Sequence, residues 1–506
     1  MSQSAPNELL NLRCGELAAR IQHSLWQQFN LLVIGLVIVL ASLWIFDFPN
    51  IGALIMILIG SLAPIVAWIR AKQPGLPLVA LVGLQTLFVF ATPIATQNPT
   101  LARYTSAEVF SAGVEVCVFG LGLVIAWQIA MSRHAQNDKS RSYTTLNFIQ
   151  LDRPAMLSKL GLTLLGSSTL YQLLLSFETI YQIYDSLPQG IGPIIRTVFD
   201  GAALAGCLIG SYAVGAGAMK HAQAAGFWAL VTILCLLKIS SLLLSGAAPV
   251  IAGVCLGYVI GAHRLPTAFV VATTLVMGFL NLSKFEMRAK HWNEYGQTTG
   301  VNLIDMPDRF AQWLQMSVDV LNHNHTATYE EEQRGQQLTD RLNNLQNLLY
   351  AQGAIEHGGC PLLLGDTYTL IPKLLIPRVL WPQKPRTHEG QVILNVHFGR
   401  QSLDATFTTY VAWGLLAEAY GNFGSIWGPL LCGLFLGAVA GIVERWIRPY
   451  PITSLEAFLF LIIAANFSLS FEMVASVWVT SVFQMIVALI LCVLPFARRQ
   501  PVPKAA

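Results

Sequence analysis

Charge is what this sequence has least of. Only 11% of its 506 residues are Asp, Glu, Lys or Arg, against about 25% in an ordinary soluble domain. That is too little to coat a soluble protein of this length. The cysteines are few and dispersed. Of the eight, Cys117, Cys207, Cys235, Cys255, Cys432 and Cys492 lie inside apolar runs, where a free thiol behaves as a small hydrophobe. No CxxC or Cys/His metal spacing occurs, so neither a disulfide framework nor a zinc site is expected. Also missing are DxD, GxxxxGK[ST] and GxSxG. Metal-dependent sugar-nucleotide enzymes, nucleotide-driven pumps and serine hydrolases lose support with them. No internal repeat at a fixed period is visible. The first 28 residues are polar and lack a small-residue cleavage site, so the first apolar span is expected to serve as an uncleaved anchor. The net charge of +3 gives no reason to expect a nucleic-acid partner.

What is present is apolar. Hydrophobic residues make up 54% of the chain, and they come in blocks. About 20 such residues cross a bilayer as a helix, and lipid cannot satisfy an unpaired backbone. Spans are expected near 29–46, 51–69, 76–95, 109–131, 160–175, 192–217, 224–245, 247–263, 266–283, 425–445, 452–469 and 474–496. The expectation is therefore an all-α polytopic membrane protein of about twelve transmembrane helices. Residues 1–283 hold nine spans, 284–424 form a large, mostly helical loop, and 425–506 hold three spans and a tail.

Lys and Arg orient the chain. The short connections and tails that share a side with the N-terminus hold 16 of them, and those on the other side hold Arg103 alone. The positive-inside rule then puts both termini in the cytoplasm and the 284–424 loop outside. Within that loop, Asp308 can cap a helix running to about Leu321, with Phe310, Trp313 and Leu314 on one face. Leu338, Leu342, Leu345 and Leu349 form one stripe of a second helix from about 336 to 350. The stretch 406–420 is apolar enough to be re-entrant.

Candidate chemistry concentrates late in the loop. In Ile376-Pro377-Arg378-Val379-Leu380-Trp381-Pro382-Gln383-Lys384-Pro385-Arg386, prolines forbid a regular helix and space three cations around Trp381. Arg378, Lys384 and Arg386 suit a phosphate or, equally, a headgroup layer. Arg341 and Arg334 share a helix face that solvation alone would explain. His323 and His325 form an HxH pair without further ligands, and Glu330, Glu331 and Glu332 form an acidic run. His388, Glu389 and His397 follow the basic run, each a possible general base or an ordinary loop residue. Glu418 is a lone carboxylate among small and apolar residues. Burial would raise its pKa into the range of a base; alternatively it pairs with a loop Arg. Within the spans, Arg196 and Asp200 are placed to neutralise each other at i, i+4. Glu115 and Lys238 sit deeper and lack a local partner; they are expected either to pair across helices or to line a polar cavity.

The order of these features resembles the Wzy-type oligosaccharide repeat-unit polymerases of bacterial inner membranes. The resemblance rests on Gly365-Asp366-Thr367-Tyr368, on the Ile-Pro-Arg-x-Leu-Trp-Pro-x-Lys-Pro string at 376–385, and on the Ala-Glu-x-Tyr-Gly-Asn-Phe-Gly string at 417–424. These cover about 60 residues; the rest matches in topology and hydropathy. The resemblance implies a GT-C-like, metal-independent glycosyltransferase without a cofactor, acting on undecaprenyl-diphosphate-linked glycans in the lipid bilayer. It implies a chain-length regulator (a polysaccharide co-polymerase) and a flippase as partners. Arg378 and Lys384, then Arg341 and Arg386, would contact the diphosphate. Glu418, with His388 or Glu389 behind it, would be the base. An O-antigen ligase-like enzyme and a lipid-linked glycan transporter are the alternatives.

Overall fold

The computed structural model describes residues 13–132, 144–147, 154–188, 190–262, 264–292, 302–322, 343–407, 411–452, 454–469, 472–494 and 498–501. Helices dominate it. The first are α1 (Cys14–Ile45), α2 (Ile51–Ile69), α3 (Leu78–Ala95), α4 (Ser106–Ser132), α5 (Pro154–Leu175) and the short α6 (Glu178–Asp185). Next come α7 (Ile191–Gly215), α8 (His221–Ile239), α9 (Ala248–Ala262) and α10 (Thr267–Leu282). The 284–424 segment supplies α11 (Lys284–His291), α12 (Met306–Asn322), α13 (Asn344–Glu356), α14 (Leu370–Leu375), α15 (Glu389–His397) and α16 (Leu415–Phe423). The chain closes with α17 (Trp427–Ile447), α18 (Leu455–Leu469) and α19 (Ala475–Val493). Among the described residues the one strand ladder is Thr144–Asn147 antiparallel to Arg498–Pro501.

Seven helices, α2, α3, α4, α7, α8, α17 and α19, are long and apolar enough to cross a membrane; α1, bent by 50° in its middle, makes an eighth if its arms count as one span. The chain is thus a multi-pass membrane protein built from helices. Helices α9, α10 and α18 have 15, 16 and 15 residues. At 1.5 Å per residue each is roughly 22–24 Å long, short of the ~30 Å hydrocarbon core. They and α5 nevertheless occupy positions where the hydropathy predicts spans.

Hydrogen bonds between connections sort the helix ends into two groups. Arg448 bonds Gln73, Arg445 bonds the Ala130 carbonyl, Ser158 bonds that of Ala218, and Cys14 N–H bonds that of Tyr450. At the other end, Asn343 bonds Thr100, Leu303 N–H bonds the Ser176 carbonyl, and His357 lies 3.3 Å from Glu108. These are the same two sets that the Lys and Arg distribution separates.

The helices approach closely through small residues. Gly433, Gly437 and Gly441 recur every four residues along α17, one face of a helix. A side chain on Gly433 or Gly437 would strike the Phe119 or Leu123 carbonyl of α4, and one on Gly441 would sit 2.9 Å from that of Trp127. Without a hydrophobic force between helices in lipid, such backbone contact is what packs them.

One expectation is extended and one is corrected. Asp200 pairs with Arg196 at 3.7 Å, as expected, and also with Lys238 across helices, Nζ to Oδ1 2.5 Å; Arg196 is 70% exposed. Lys238 is the more buried cation, so it has more to gain from the carboxylate. On α12 the buried stripe runs through Met306, Trp313 and Ser317, with Phe310 packed beside it, and leaves Leu314 exposed. The Trp313 indole N–H donates to the Leu280 carbonyl at 2.9 Å, which fixes that rotation. Of the second loop helix, α13 is described from Asn344 onward, with Leu345 and Leu349 buried; Leu338 and Leu342 lie outside the described residues.

Gly437→Leu should therefore lower the heat-unfolding midpoint of the purified protein, at a cost of about 1–3 kcal/mol for overpacking. Gly35→Ala, where nothing lies within 4 Å of the new atom, should leave it unchanged. Equal midpoints for the two variants would refute the packing argument.

Candidate functional site

Two of the three late motifs meet in space through Asn422. Its carboxamide oxygen accepts from Gly365 N–H at 3.0 Å, and its nitrogen donates to Thr367 Oγ1 and to the Glu418 carbonyl at 2.9 and 2.8 Å. The backbone adds Leu363 N–H to the Gly421 carbonyl and Leu364 N–H to that of Asn422. Tyr368 stacks on Phe423, ring centres 5.8 Å apart. Gly365 has φ +100°, open to glycine without strain. The turn at 365–368 is in this way locked onto α16.

The third motif follows from α14. Arg378 does not reach outward as a free fork. Its two terminal nitrogens donate to the Pro382 and Pro385 carbonyls at 3.1 and 3.2 Å. Lys384 Nζ donates back to the Leu374 and Ile376 carbonyls at 3.0 and 2.8 Å. The two cations staple the proline-broken loop, whose prolines supply acceptors and no donors. Among the described residues neither has a carboxylate in ion-pair distance. Burial, and then the Arg378 guanidinium, hold Lys384 below the usual lysine pKa. The pair is a patch of positive charge that no described residue nearby neutralises. Gly190, φ +96°, lets this loop press against the start of α7: a side chain there would meet Val379 N at 2.7 Å.

Other expected site residues are less open. Arg386 Nε donates to Glu389 Oε2 at 3.0 Å, and its guanidinium lies 4.6 Å over Phe407. This pairing occupies both Arg386 and Glu389. His388 Nδ1 bonds Gln391 Oε1 at 2.8 Å, and His397 Nε2 bonds the Pro361 carbonyl at 2.7 Å. Arg341 lies outside the described residues, as do Arg334, His323, His325, Glu330, Glu331 and Glu332.

Glu418 is fully buried. Its Oε2 accepts from Ala475 N–H at 2.6 Å, the first residue of α19, and no donor meets Oε1 in hydrogen-bond geometry among the described residues. Among the described residues no loop Arg reaches it in ion-pair distance; its partner there is the positive end of a helix. Burial pushes its pKa up to about 7, against the opposing pull of the Ala475 N–H and the Thr367 hydroxyl. On the far flank of the same helix start, a side chain at Gly390 would sit 2.8 Å from Ser476 Oγ. Helix α15, which follows the cation loop, and Glu418 thus grip one helix end.

Two residues at this end of the bundle escaped the sequence reading. Arg400 donates to Asn347 Oδ1 at 2.8 Å and lies 5.3 Å over Tyr350 and 5.4 Å over Trp413. It is a cation among aromatics with no carboxylate in ion-pair distance among the described residues. Glu356, exposed at the end of α13, accepts from Tyr420 Oη at 2.8 Å. Tyr420 lies two residues after Glu418 in the same motif, so α16 presents one glutamate inward and holds another at the surface. Neither carried a local signal: both lie outside the three motif strings.

Comparison with protein-family models, with curated proteins and with solved structures returned no match for this chain.

The raised pKa of Glu418 has a measurable sign. Its folded value, about 7, lies above the unfolded 4.5, so the folded state holds the proton more tightly. The associated stability is full below the unfolded value and fades as pH rises through about 7, on the order of 3 kcal/mol in all. The unfolding midpoint should fall between pH 5 and 8, and Glu418→Gln should make that fall shallower. An unchanged slope would show that Glu418 does not titrate in this window.

Proposed function

We propose that this protein is a membrane glycosyltransferase that polymerises undecaprenyl-diphosphate-linked oligosaccharide repeat units at the outer face of the bacterial inner membrane. In this reading the chain crosses the bilayer twelve times with both termini in the cytoplasm, has a GT-C-like architecture, and puts the 284–424 segment outside. The observation that carries the proposal is the Arg378–Lys384 pair: two cations on one stapled loop with no carboxylate in ion-pair distance among the described residues. A diphosphate would supply the missing negative charge. The motif resemblance names the lipid that would bring it.

The chemistry follows from the groups present. A hydroxyl of the incoming repeat unit attacks the anomeric carbon of the growing glycan. The bond from that carbon to the diphosphate oxygen breaks, and the lipid diphosphate leaves with the electron pair. Negative charge grows on the leaving oxygen, and cations already in place stabilise it without reorganising. Holding two lipid-linked substrates at one membrane surface supplies orientation. The hydroxyl proton needs an acceptor within reach. Glu418 is sealed from solvent, so we assign it to positioning α16. Glu356, exposed and oriented by Tyr420, is the carboxylate we assign as base.

The test is incubation of purified protein with a lipid-linked repeat unit, with and without a chelator. The expected result is a ladder of lipid-linked glycans that resists the chelator. Arg378→Gln and Lys384→Gln should each slow extension about 100-fold or more, and Glu356→Gln by a similar factor. Glu418→Gln should keep most of the activity. An unextended repeat unit would refute the reading, and transfer of finished glycan to a different lipid would turn it into a ligase. A dead Glu418→Gln beside a fully active Glu356→Gln would reverse the assignment of the base.

A further inference from the structure

At the end of the bundle opposite the Arg378 loop, a cavity of about 630 Å³ opens between α8, α9 and the start of α10. It exists because α10 barely packs. Leu280 is its one buried residue among those described, and Val271, Leu275 and Val276 are 56%, 67% and 49% exposed. The helix is held at its far end through the Leu280 carbonyl, which accepts from Trp313. At its start Phe269 meets Trp228, ring centres 5.3 Å apart. The side chains of its middle face outward, into what the span pattern makes lipid.

The lining has a particular chemistry. Trp228, Leu265 and Phe269 are apolar, and Leu265 is 59% exposed. The polar residues of the lining are Arg264, Tyr258 and Thr267, and among the described residues the lining holds no Asp or Glu. Arg264 has no ion pair among the described residues. A guanidinium carries five donors and no acceptor, and beside a bilayer it gains most from an anion. The volume is that of a small-molecule site, apolar with a few convergent polar groups.

We infer that this cavity binds an anionic phospholipid from the leaflet opposite the glycan site. The phosphate sits on Arg264 with the Tyr258 and Thr267 hydroxyls as further donors. The first carbons of an acyl chain run over Trp228 and Phe269 onto the bare face of α10. Anionic rather than zwitterionic lipid is specified because the lining offers a cation and no carboxylate for a headgroup ammonium. A lipid rather than a soluble anion is specified because the apolar wall continues onto the exposed middle of α10. None of this depends on the glycan chemistry at the other face.

The test uses the full-length protein in a non-ionic detergent, with lipid retention followed by native mass spectrometry. Phosphatidylglycerol, phosphatidylcholine and inorganic phosphate are offered at equal concentrations. The expected result is retention of phosphatidylglycerol at least ten times tighter than either of the others. Arg264→Gln should remove that preference, Arg264→Lys should keep part of it, and Lys72→Gln, an exposed cation outside the cavity, should leave it intact. Thr267→Trp, which fills the cavity and leaves the charge, should also abolish retention. Equal retention of the two lipids, retention of phosphate alone, or wild-type preference in Arg264→Gln would each overturn the proposal.

Discussion

Helix starts inside an apolar bundle carry backbone N–H groups with no partner of their own, and lipid offers none. The arrangement of this protein turns on how those groups are met. Glu444 of α17 accepts from Val79 N–H at the start of α3, at 2.6 Å, and from the Trp127 indole at 2.9 Å. Glu115 of α4 accepts from the Ser425 hydroxyl and from Ile426 N–H just before α17. Glu418 does the same for α19. Each carboxyl group lies across the positive end of a neighbouring helix and ties two elements together. Ile426 shows how firm the tie is: a β-branched residue held at φ +63°, a conformation worth about 1–3 kcal/mol of strain.

This economy explains the contrast between the acids and the cations of the 343–424 region. Glu418 is drawn inward by a helix end, and Glu389 is taken by Arg386. Arg378 and Lys384 on their loop, and Arg400 among its aromatics, have no carboxylate in ion-pair distance among the described residues, and the exposed Glu356 is held by a hydroxyl rather than by a cation. The donors of the three cations are engaged by carbonyls or a carboxamide, which fix position without cancelling charge. Such a surface is preorganised for an anion and pays for that order with ring contacts and backbone acceptors. At the opposite face Arg264 lines a cavity that holds no carboxylate among the described residues.

The helical class was legible because hydropathy and lipid leave few alternatives, and every expected span has a helix at its position. Side-chain partners were legible only in part. Asp200 has Arg196 one turn away in sequence, yet Lys238, thirty-eight residues on, is the closer partner because depth in the bundle outweighs proximity along the chain. The role of Glu418 depended on where α19 begins, which no local pattern encodes. One signal was present and passed over: the recurrence of Gly433, Gly437 and Gly441, which marks the α4–α17 contact.

The central claim is that the Arg378–Lys384 pair is a diphosphate site. It is tested most directly by binding rather than turnover. Purified protein would be offered undecaprenyl diphosphate and undecaprenyl monophosphate, and the dissociation constants compared with those of an Arg378→Gln, Lys384→Gln double variant. The account predicts a preference of about tenfold or more for the diphosphate, a difference of about 1.4 kcal/mol, that disappears in the double variant. Equal affinity for the two lipids, or a preference that survives the loss of both cations, would contradict it.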